Sequence, residues 1–258
     1  MSDHTGAPQH ESGPHRWRSA LPVAAMFLTR LPVRAPGSGV AAAAVAFPVI
    51  GLAVGALGGA AYWLGWLIGL PVLACAFLAV GATVVVTGAL HEDGLADMAD
   101  GLAGGTKEDA IRIMRDSRTG GYGVLALIFS VGLRVSALAA LVEPLAVIIA
   151  MATAGALSRA ALPAVMRALA PASGTGLAAT AGKPDRLDVF LAFGIAGFLA
   201  FAGLGPAPAL AASGAAFIAA CAAAALARRR LDGYTGDVLG AVQQAAEIAV
   251  LLAIAAVM

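Results

Sequence analysis

Charged side chains are scarce in this sequence. Asp, Glu, Lys and Arg make up 12% of its 258 residues, whereas soluble domains carry roughly 25%. The two cysteines, Cys75 and Cys221, both lie in apolar runs, which excludes a disulfide scaffold or a zinc framework. The net charge of +1 gives no electrostatic basis for binding nucleic acid, so nucleic acid is not an expected partner.

Apolar residues are abundant instead, at 60% of the chain. Such a sequence has too little polar surface to cover a soluble globule of this size, and the lipid bilayer is the expected partner. A membrane span needs about 20 mostly apolar residues. Seven segments meet this requirement: 47–69, 72–90, 121–142, 145–168, 188–204, 207–227 and 238–257. Strand-like alternation is absent, so we predict an all-α, polytopic membrane helix bundle with about seven transmembrane helices.

Basic residues lie on one side of the predicted spans. They precede the first span and recur in every second connection, whereas the alternate connections, near 69–71, 143–144 and 205–208, hold no Lys or Arg. By the positive-inside rule, the N-terminus and the long loops are expected in the cytoplasm and the C-terminus outside.

The N-terminal region divides into two parts. Residues 1–15 are polar and are expected to form a disordered tail, which leaves 16–258 as a single integral-membrane domain. The apolar run 21–28 is flanked by arginines and fits either a signal peptide or an interfacial helix. Because Arg30 closely follows the run and no small-residue cleavage site is evident, we predict an interfacial helix.

An acidic motif follows the second predicted span, from His91 to Gly101. Asp93, Asp97 and Asp100 are spaced i, i+4 and i+7, which places them on one face of a helix. Like charges at this spacing repel each other, unless a divalent cation lies between them. Carboxylate oxygens suit Mg²⁺ or Mn²⁺. We therefore predict a metal site here, the alternative being an acidic cap on a membrane helix.

A second polar face enters the last predicted span. Asp237, Gly240, Gln244 and Glu247 recur at steps of three and four residues. Asp237 is also explained as an acidic residue in a first helical turn, where the helix dipole favours it. Glu247 lies well inside the span, and an ionisable residue there indicates a functional site.

Basic residues supply candidate anion sites. Arg134 and Arg159 lie within predicted spans and need anionic partners. They either pair with Glu247 or the aspartates, or they bind phosphate directly. Glycines and small residues at helix starts can also hold phosphate through backbone N–H groups. The loop candidates are Arg115, Asp116, Ser117, Arg118, Gly174, Gly176 and Lys183.

Acidic and basic groups thus project from the same ends of the spans. This combination suits a diphosphate at a membrane surface, where a metal would neutralise phosphate oxygens and orient the leaving group. His91, the only histidine outside the tail, is either a general base, a partner of a metal ligand or an interfacial residue.

These motifs resemble the cobalamin synthase family, the adenosylcobinamide-GDP ribazoletransferases. The matching segments are 27–33, 47–51, 91–101, 114–118 with Gly120 and Gly123, Ser158-Arg159, Gly182-Lys183, and Thr235-Gly236-Asp237 with Gly240-Ala241. Two features depart from the family pattern. The N-terminal tail is long, and Asp232 precedes Gly233 where the family has a small residue.

The resemblance implies a reaction. A ribose hydroxyl of α-ribazole, or of its 5′-phosphate, attacks the phosphorus on the cobinamide side of adenosylcobinamide-GDP, and GMP leaves. The nucleotide loop of cobalamin is thereby closed. The resemblance also implies Mg²⁺ as the cofactor and the bacterial cytoplasmic membrane as the location, with the active site facing the cytoplasm. The sequence leaves open whether the chain forms a homo-oligomer.

The resemblance also implies residue roles. The implied metal ligands are Glu92, Asp93, Asp97, Asp100 and Asp237. The implied substrate- and phosphate-binding residues are Arg115, Asp116, Ser117, Arg118, Arg159, Lys183, Thr235, Gly236 and Glu247. The candidates for the base that accepts the hydroxyl proton are His91, Asp97 and Asp237.

Two other functions share parts of this pattern. A lipid-type CDP-alcohol phosphotransferase would share the membrane, the metal and the chemistry. Its acidic signature has an Ala-Arg pair between the first aspartates and a later Gly-xxx-Asp-xxx-Asp, and neither occurs here. A transporter with an ion site at Arg134, Arg159 and Glu247 predicts broken helices in corresponding halves, and the sequence shows no internal repeat.

Overall fold

The structure is a computed structural model that describes residues 14–35 and 39–258. The predicted tail, 1–15, lies outside these residues except for its last two, which begin the first helix. The described chain is helical and contains no β-strand; an isolated backbone bridge joins Pro171 and Tyr234. The predicted all-α class is confirmed.

The helices follow one another with short connections. They are α1 (Pro14–Leu28), α2 (Phe47–Leu67), α3 (Val72–Thr87), α4 (Leu90–Gly101), α5 (Lys107–Met114), α6 (Gly121–Leu141), α7 (Pro144–Ala168), α8 (Leu177–Ala181), α9 (Arg186–Leu204), α10 (Pro206–Leu231) and α11 (Gly236–Val257). A 3₁₀ helix, Val40–Ala46, leads directly into α2. The predicted interfacial helix corresponds to α1.

Six helices of the described chain are long and apolar enough to cross a membrane: α2 with its preceding 3₁₀ helix, α6, α7, α9, α10 and α11. The seventh predicted span, 72–90, corresponds to α3, which the acidic helix α4 follows at an angle of 90°. The count is therefore six, or seven if the bent pair is one span. This agrees with the prediction of about seven spans and makes the chain a polytopic membrane protein.

The bend between α3 and α4 has a local cause. Gly88 and Ala89 both adopt the left-handed conformation, with φ of 63° and 57°, which ends α3. The left-handed region costs little at glycine, and a Cβ at Gly88 would also collide with the side chain of Arg30. The turn takes the acidic helix out of the line of α3, so that α4 packs against α6 and α11.

Small residues allow the central helices to approach each other closely. The glycines Gly51 and Gly55 of α2 face Gly155 and Met151 of α7, and a Cβ at either α2 glycine would overlap the α7 backbone. Close contact through small residues is a common way for membrane helices to associate. Helices α7 and α11 are the most buried spans, whereas α6, α9 and α10 expose most of their apolar surface, as expected of helices that face lipid.

Helix α1 closes one end of the bundle. Its residues Val23, Ala24 and Leu28 are buried in the same apolar cluster as the start of α2. The rings of Phe27 and Phe47 stack with centroids 5.5 Å apart. This packing makes α1 one wall of the cavity described next.

Candidate active site

A cavity of about 280 Å³ opens between α1, α4, α5, the 171–178 segment and the start of α11. Apolar residues such as Phe27, Leu162 and Leu239 form part of its wall. Its polar lining residues are His91, Asp93, Arg115, Ser173, Thr175, Thr235 and Asp237. Residues from both acidic motifs and from a basic loop therefore meet in one cavity.

Two glycines bring the acidic motifs together. A Cβ at Gly94 of α4 would lie 2.9 Å from the Cα of Asp237 and 3.2 Å from the Cα of Gly240 in α11. The two backbones therefore cross almost in contact. Since Asp93 precedes Gly94, this crossing places the carboxyl groups of Asp93 and Asp237 on the same cavity.

Asp97 lies one helical turn beyond Asp93 on α4, is half-buried and does not itself line the cavity. Burial, and then the neighbouring charges of Asp93, Asp237 and Asp100, raise the pKa of Asp97 to about 7. The predicted repulsion between aspartates is therefore present, and Asp237 adds to it from another helix. A cation placed among these carboxylates would relieve it.

The Thr-Gly-Asp motif forms the first turn of α11. Thr235 is the N-cap, and its hydroxyl oxygen accepts the N–H of Val238 at 3.2 Å. The same hydroxyl lies 3.2 Å from Oδ2 of Asp237 and donates to it. The threonine thus both caps the helix and orients the aspartate. Gly236 also lines the cavity.

The segment before this motif is tied to the loop on the opposite wall. Tyr234 and the loop exchange two backbone hydrogen bonds, Tyr234 N–H to Ala170 O and Ala172 N–H to Tyr234 O, both 2.9 Å. A Cβ at Gly233 would lie 2.9 Å from the Cα of Ala172, so glycine is needed there. Asp232, which precedes Gly233, adopts a left-handed φ of 52° and caps α10.

Arg115 forms the basic side of the cavity. One of its guanidinium nitrogens, Nη2, donates to Oγ1 of Thr175 at 3.0 Å and to Oγ of Ser173 at 3.3 Å. Sequence reasoning identified Arg115 and the neighbouring glycines Gly174 and Gly176, but it missed the two hydroxyl residues. The only signal for them was their position beside those glycines.

His91 is buried against the cavity, and its Nε2 atom has no hydrogen-bond partner in the described part of the chain. Burial, followed by the positive charges of Arg159 and Arg134, holds the pKa of His91 well below its usual range. A neutral imidazole keeps one nitrogen that can accept a hydrogen bond.

Asp100 has a different environment from the other aspartates. It is buried, and its two carboxylate oxygens accept the backbone N–H groups of Gly120 at 2.6 Å and Gly123 at 2.8 Å. It therefore caps the N-terminus of α6, and it does not line the cavity. These contacts give no support to its predicted role as a metal ligand.

Glu92 and Glu247 belong to a buried network beneath the cavity. Arg134 lies 3.0 Å from Glu92 and 3.4 Å from Glu247, and Arg159 lies 3.5 Å from Glu247. Gln244 donates to Glu92 at 3.2 Å, and Gln243 donates to Glu247. The structure thus shows the pairing of both arginines with acids. None of the four charged groups lines the cavity, so their contacts give no support to predicted metal or substrate roles for Glu92, Arg159 and Glu247.

The remaining predicted anion-binding residues lie outside the cavity. Arg118 forms an exposed ion pair with Asp116 at 2.7 Å, and hydrogen bonds from its side chain and backbone hold the pKa of Asp116 at about 2. Ser117 and Lys183 are exposed and do not line the cavity either. The structure therefore brings Arg115, but not its neighbours, to the site.

Fold and site together define a polytopic membrane protein with an acidic and a basic wall around one cavity at the ends of its spans. The sequence model of the cobalamin-5-phosphate synthase family matches residues 20–255, and the chain belongs to this family. The resemblance noted from the motifs is confirmed, and the lipid-transferase and transporter alternatives are set aside.

Similar bacterial proteins cover nearly the same length. The adenosylcobinamide-GDP ribazoletransferase of Bradyrhizobium diazoefficiens is 46% identical over 241 residues, which cover 92% of this chain and 93% of that protein. The protein of the same name from Rhizobium etli is 45% identical over 220 residues, or 81% of this chain and 84% of the relative. No solved structure matches this chain.

Proposed function

We propose that this protein is an adenosylcobinamide-GDP ribazoletransferase that acts in the last steps of cobalamin biosynthesis. The family and the relatives of that name, at 45–46% identity, support the activity. The structural observation that carries the chemistry is that Asp93 and Asp237 line one cavity with Arg115. Acidic groups on one wall and a basic group on the other suit a diphosphate donor.

Magnesium is the proposed cofactor, held by Asp93, Asp97 and Asp237. Among the described residues, no group of three His, Cys, Asp or Glu side chains is placed so that it could hold a metal ion by itself. Mg²⁺ does not require such a group, because it commonly binds through one or two carboxylates, waters and substrate phosphates. The fit rests on the carboxylate donors, of which Asp93 and Asp237 line the cavity. When bound, the ion would neutralise the diphosphate oxygens.

Phosphate positioning is proposed for Arg115. Its guanidinium is held by Ser173 and Thr175, which orients it toward the cavity and leaves its other donors for phosphate oxygens. Thr235 and Gly236 stand at the N-terminus of α11 on the same cavity, where the helix dipole favours an anion.

The transfer is a substitution at phosphorus. A ribose hydroxyl oxygen of α-ribazole, or of α-ribazole 5′-phosphate, forms a bond to the phosphorus that carries cobinamide. The bond between that phosphorus and the oxygen that leaves with GMP breaks. The hydroxyl proton passes to a base on the enzyme, for which His91, Asp97 and Asp237 remain the candidates. Of these three, His91 and Asp237 line the cavity.

The proposed location is the bacterial cytoplasmic membrane, with the active site facing the cytoplasm. The connections on the side of the cavity carry an excess of Lys and Arg, which favours that side as the cytoplasmic one. Both substrates are large polar molecules, and a cavity on that side would be open to them.

The test is a turnover assay on the purified protein in lipid vesicles. It supplies adenosylcobinamide-GDP and α-ribazole 5′-phosphate, with α-ribazole in parallel, and follows GMP release with Mg²⁺ or with EDTA. We expect Mg²⁺-dependent GMP release together with a cobalamin product. A folded protein that releases no GMP under any of these conditions would contradict the proposed activity. GMP release that persists in EDTA would contradict the proposed dependence on Mg²⁺.

A further inference from the structure

A second cavity, of about 560 Å³, opens on the side of the bundle between α7, α9 and α10. No residue lines both this groove and the candidate active site. On α10 the lining residues Ala216, Ala220 and Ala224 are spaced by four, so the groove follows the helix axis. Its wall is apolar and exposed to the lipid-facing side, where Phe217 projects outward.

The groove extends over about four turns of α10. Along α10 its lining extends from Ser213 to Arg228, which corresponds to roughly 22 Å at 1.5 Å per residue. The hydrocarbon core of a bilayer is about 30 Å thick, so that one leaflet contributes about 15 Å. The groove is therefore long enough to hold a fatty acyl chain through the depth of one leaflet.

One end of this groove is positively charged. Arg228 is the one charged residue that lines it, and Arg229 and Arg230 follow in the last turn of α10. In the part of the chain that the structure describes, no carboxylate pairs with Arg228 or Arg229. Arg230 lies 3.5 Å from the carbonyl oxygen of Leu102, which places this end on the same side of the spans as the active site.

We propose that this groove binds one anionic phospholipid of the leaflet that adjoins the active site. One acyl chain lies between α7 and α10, and the phosphate contacts Arg228. Anionic lipids are attracted by basic residues at a membrane surface, and an apolar groove with a single cationic end complements such a molecule along its whole length.

A second copy of the chain is a poorer occupant. A two-fold axis along the membrane normal would place equivalent residues of both chains at the same depth. The two sets of Arg228, Arg229 and Arg230 would then face each other without intervening acids. A lipid phosphate supplies the missing negative charge.

Two glycines on α9 offer a matched test. Gly197 lines the groove, whereas Gly194 does not, and an added Cβ meets no atom within 4 Å at either position. Gly197→Leu should therefore fill the groove without disturbing the fold, and Gly194→Leu is its control. The purified proteins are delipidated in detergent and mixed with phosphatidylglycerol or phosphatidylcholine, and bound lipid is counted by native mass spectrometry.

We expect one phosphatidylglycerol per chain in the unmodified protein and in Gly194→Leu, and none in Gly197→Leu. Arg228→Gln should retain a lipid but lower the preference for phosphatidylglycerol over phosphatidylcholine about fivefold. Equal retention by the two leucine variants would overturn the proposal. Displacement of the lipid by cobinamide would also overturn it, because the groove would then be a substrate site. A dimer that only Gly197→Leu abolishes would overturn it as well, because the groove would then bind a second copy of the chain.

Discussion

Glu92 of α4 and Arg134 of α6 form a buried ion pair in which Oε1 and Nη2 are 3.0 Å apart. Glu92 precedes Asp93, and successive residues of a helix point about 100° apart. With Glu92 held inside the bundle, Asp93 is turned toward the cavity that it lines. The pair thus sets the rotation of the acidic helix, and Gln244 supports it by donating to Glu92 at 3.2 Å.

Removing Arg134 should destabilise the protein strongly. Arg134→Met leaves Glu92 and Glu247 with Arg159 as their remaining cation, and breaking a buried pair costs about 3–5 kcal/mol of unfolding free energy. Adding Glu92→Gln should restore part of the loss, because it removes the unpaired charge. Unfolding of both single variants and the double variant in mixed micelles measures the coupling, and simple additivity of the two effects would show that the residues act independently.

The two aspartates of the cavity should be needed for turnover and not for folding. Asp93→Asn and Asp237→Asn each remove a charge from the proposed metal site, and we expect kcat to fall by about 100-fold or more. Thermal unfolding should change little, because Asp93 is exposed and Asp237 is half-buried. Glu108→Gln on exposed α5 is the matched control. Near-normal turnover of either asparagine variant would remove that residue from the site.

The variant Asp100→Asn distinguishes two roles of Asp100, which are capping of α6 and binding of the metal. An asparagine keeps one oxygen that can accept one of the two backbone N–H groups. Its NH₂ group would face the other N–H, of Gly120 or Gly123, and two donors cannot form a hydrogen bond. We expect a loss of about 1–2 kcal/mol of unfolding free energy. The Mg²⁺ concentration for half-maximal GMP release should stay the same. A large increase in that concentration at unchanged stability would instead make Asp100 a metal ligand.

Arg115→Gln tests the basic wall of the cavity. The glutamine can still contact Ser173 or Thr175 but carries no charge for a phosphate, so we expect KM for adenosylcobinamide-GDP to rise about tenfold or more. Arg112→Gln is the control, because Arg112 pairs with Asp109 on the exposed side of α5. Initial-rate kinetics measure both variants, and an unchanged KM for Arg115→Gln would place the phosphate elsewhere.

Gly94→Ala tests the crossing of α4 and α11. Its Cβ would lie 2.9 Å from both the Cα and the carbonyl oxygen of Asp237, so the two helices must move apart. We expect lower stability and a loss of GMP release. Gly132→Ala in α6 has open space around its Cβ and should be neutral or stabilising by up to about 1 kcal/mol. Equal behaviour of the two variants would contradict the close crossing.

Several parts of the site could be predicted from local patterns. The acidic spacing from Asp93 to Asp100 predicted a helix, and α4 has that helix. The steps of three and four residues from Asp237 predicted a helix face at the start of the last span, and Asp237 lies in the first turn of α11. Local patterns are reliable here because helix formation and capping depend on residues within a few positions of each other.

Other assignments needed contacts between distant residues. Nothing near Asp100 in the sequence shows that Gly120 and Gly123 occupy its carboxylate. Likewise, Ser173 and Thr175 carry no chemical signature of their own, and they join the site because the backbone bonds with Tyr234 bring their loop to α11.

By itself the sequence determined the membrane class, the helical spans and the family, because each follows from composition, local periodicity or short motifs. Only the tertiary structure decided which acids line the cavity and which are buried in ion pairs. The bend at Gly88 and Ala89 and the contact of Gly94 with Gly240 set the direction and rotation of α4. A rotation of about 100° separates Glu92 in the bundle from Asp93 in the cavity, and packing between distant segments sets that angle.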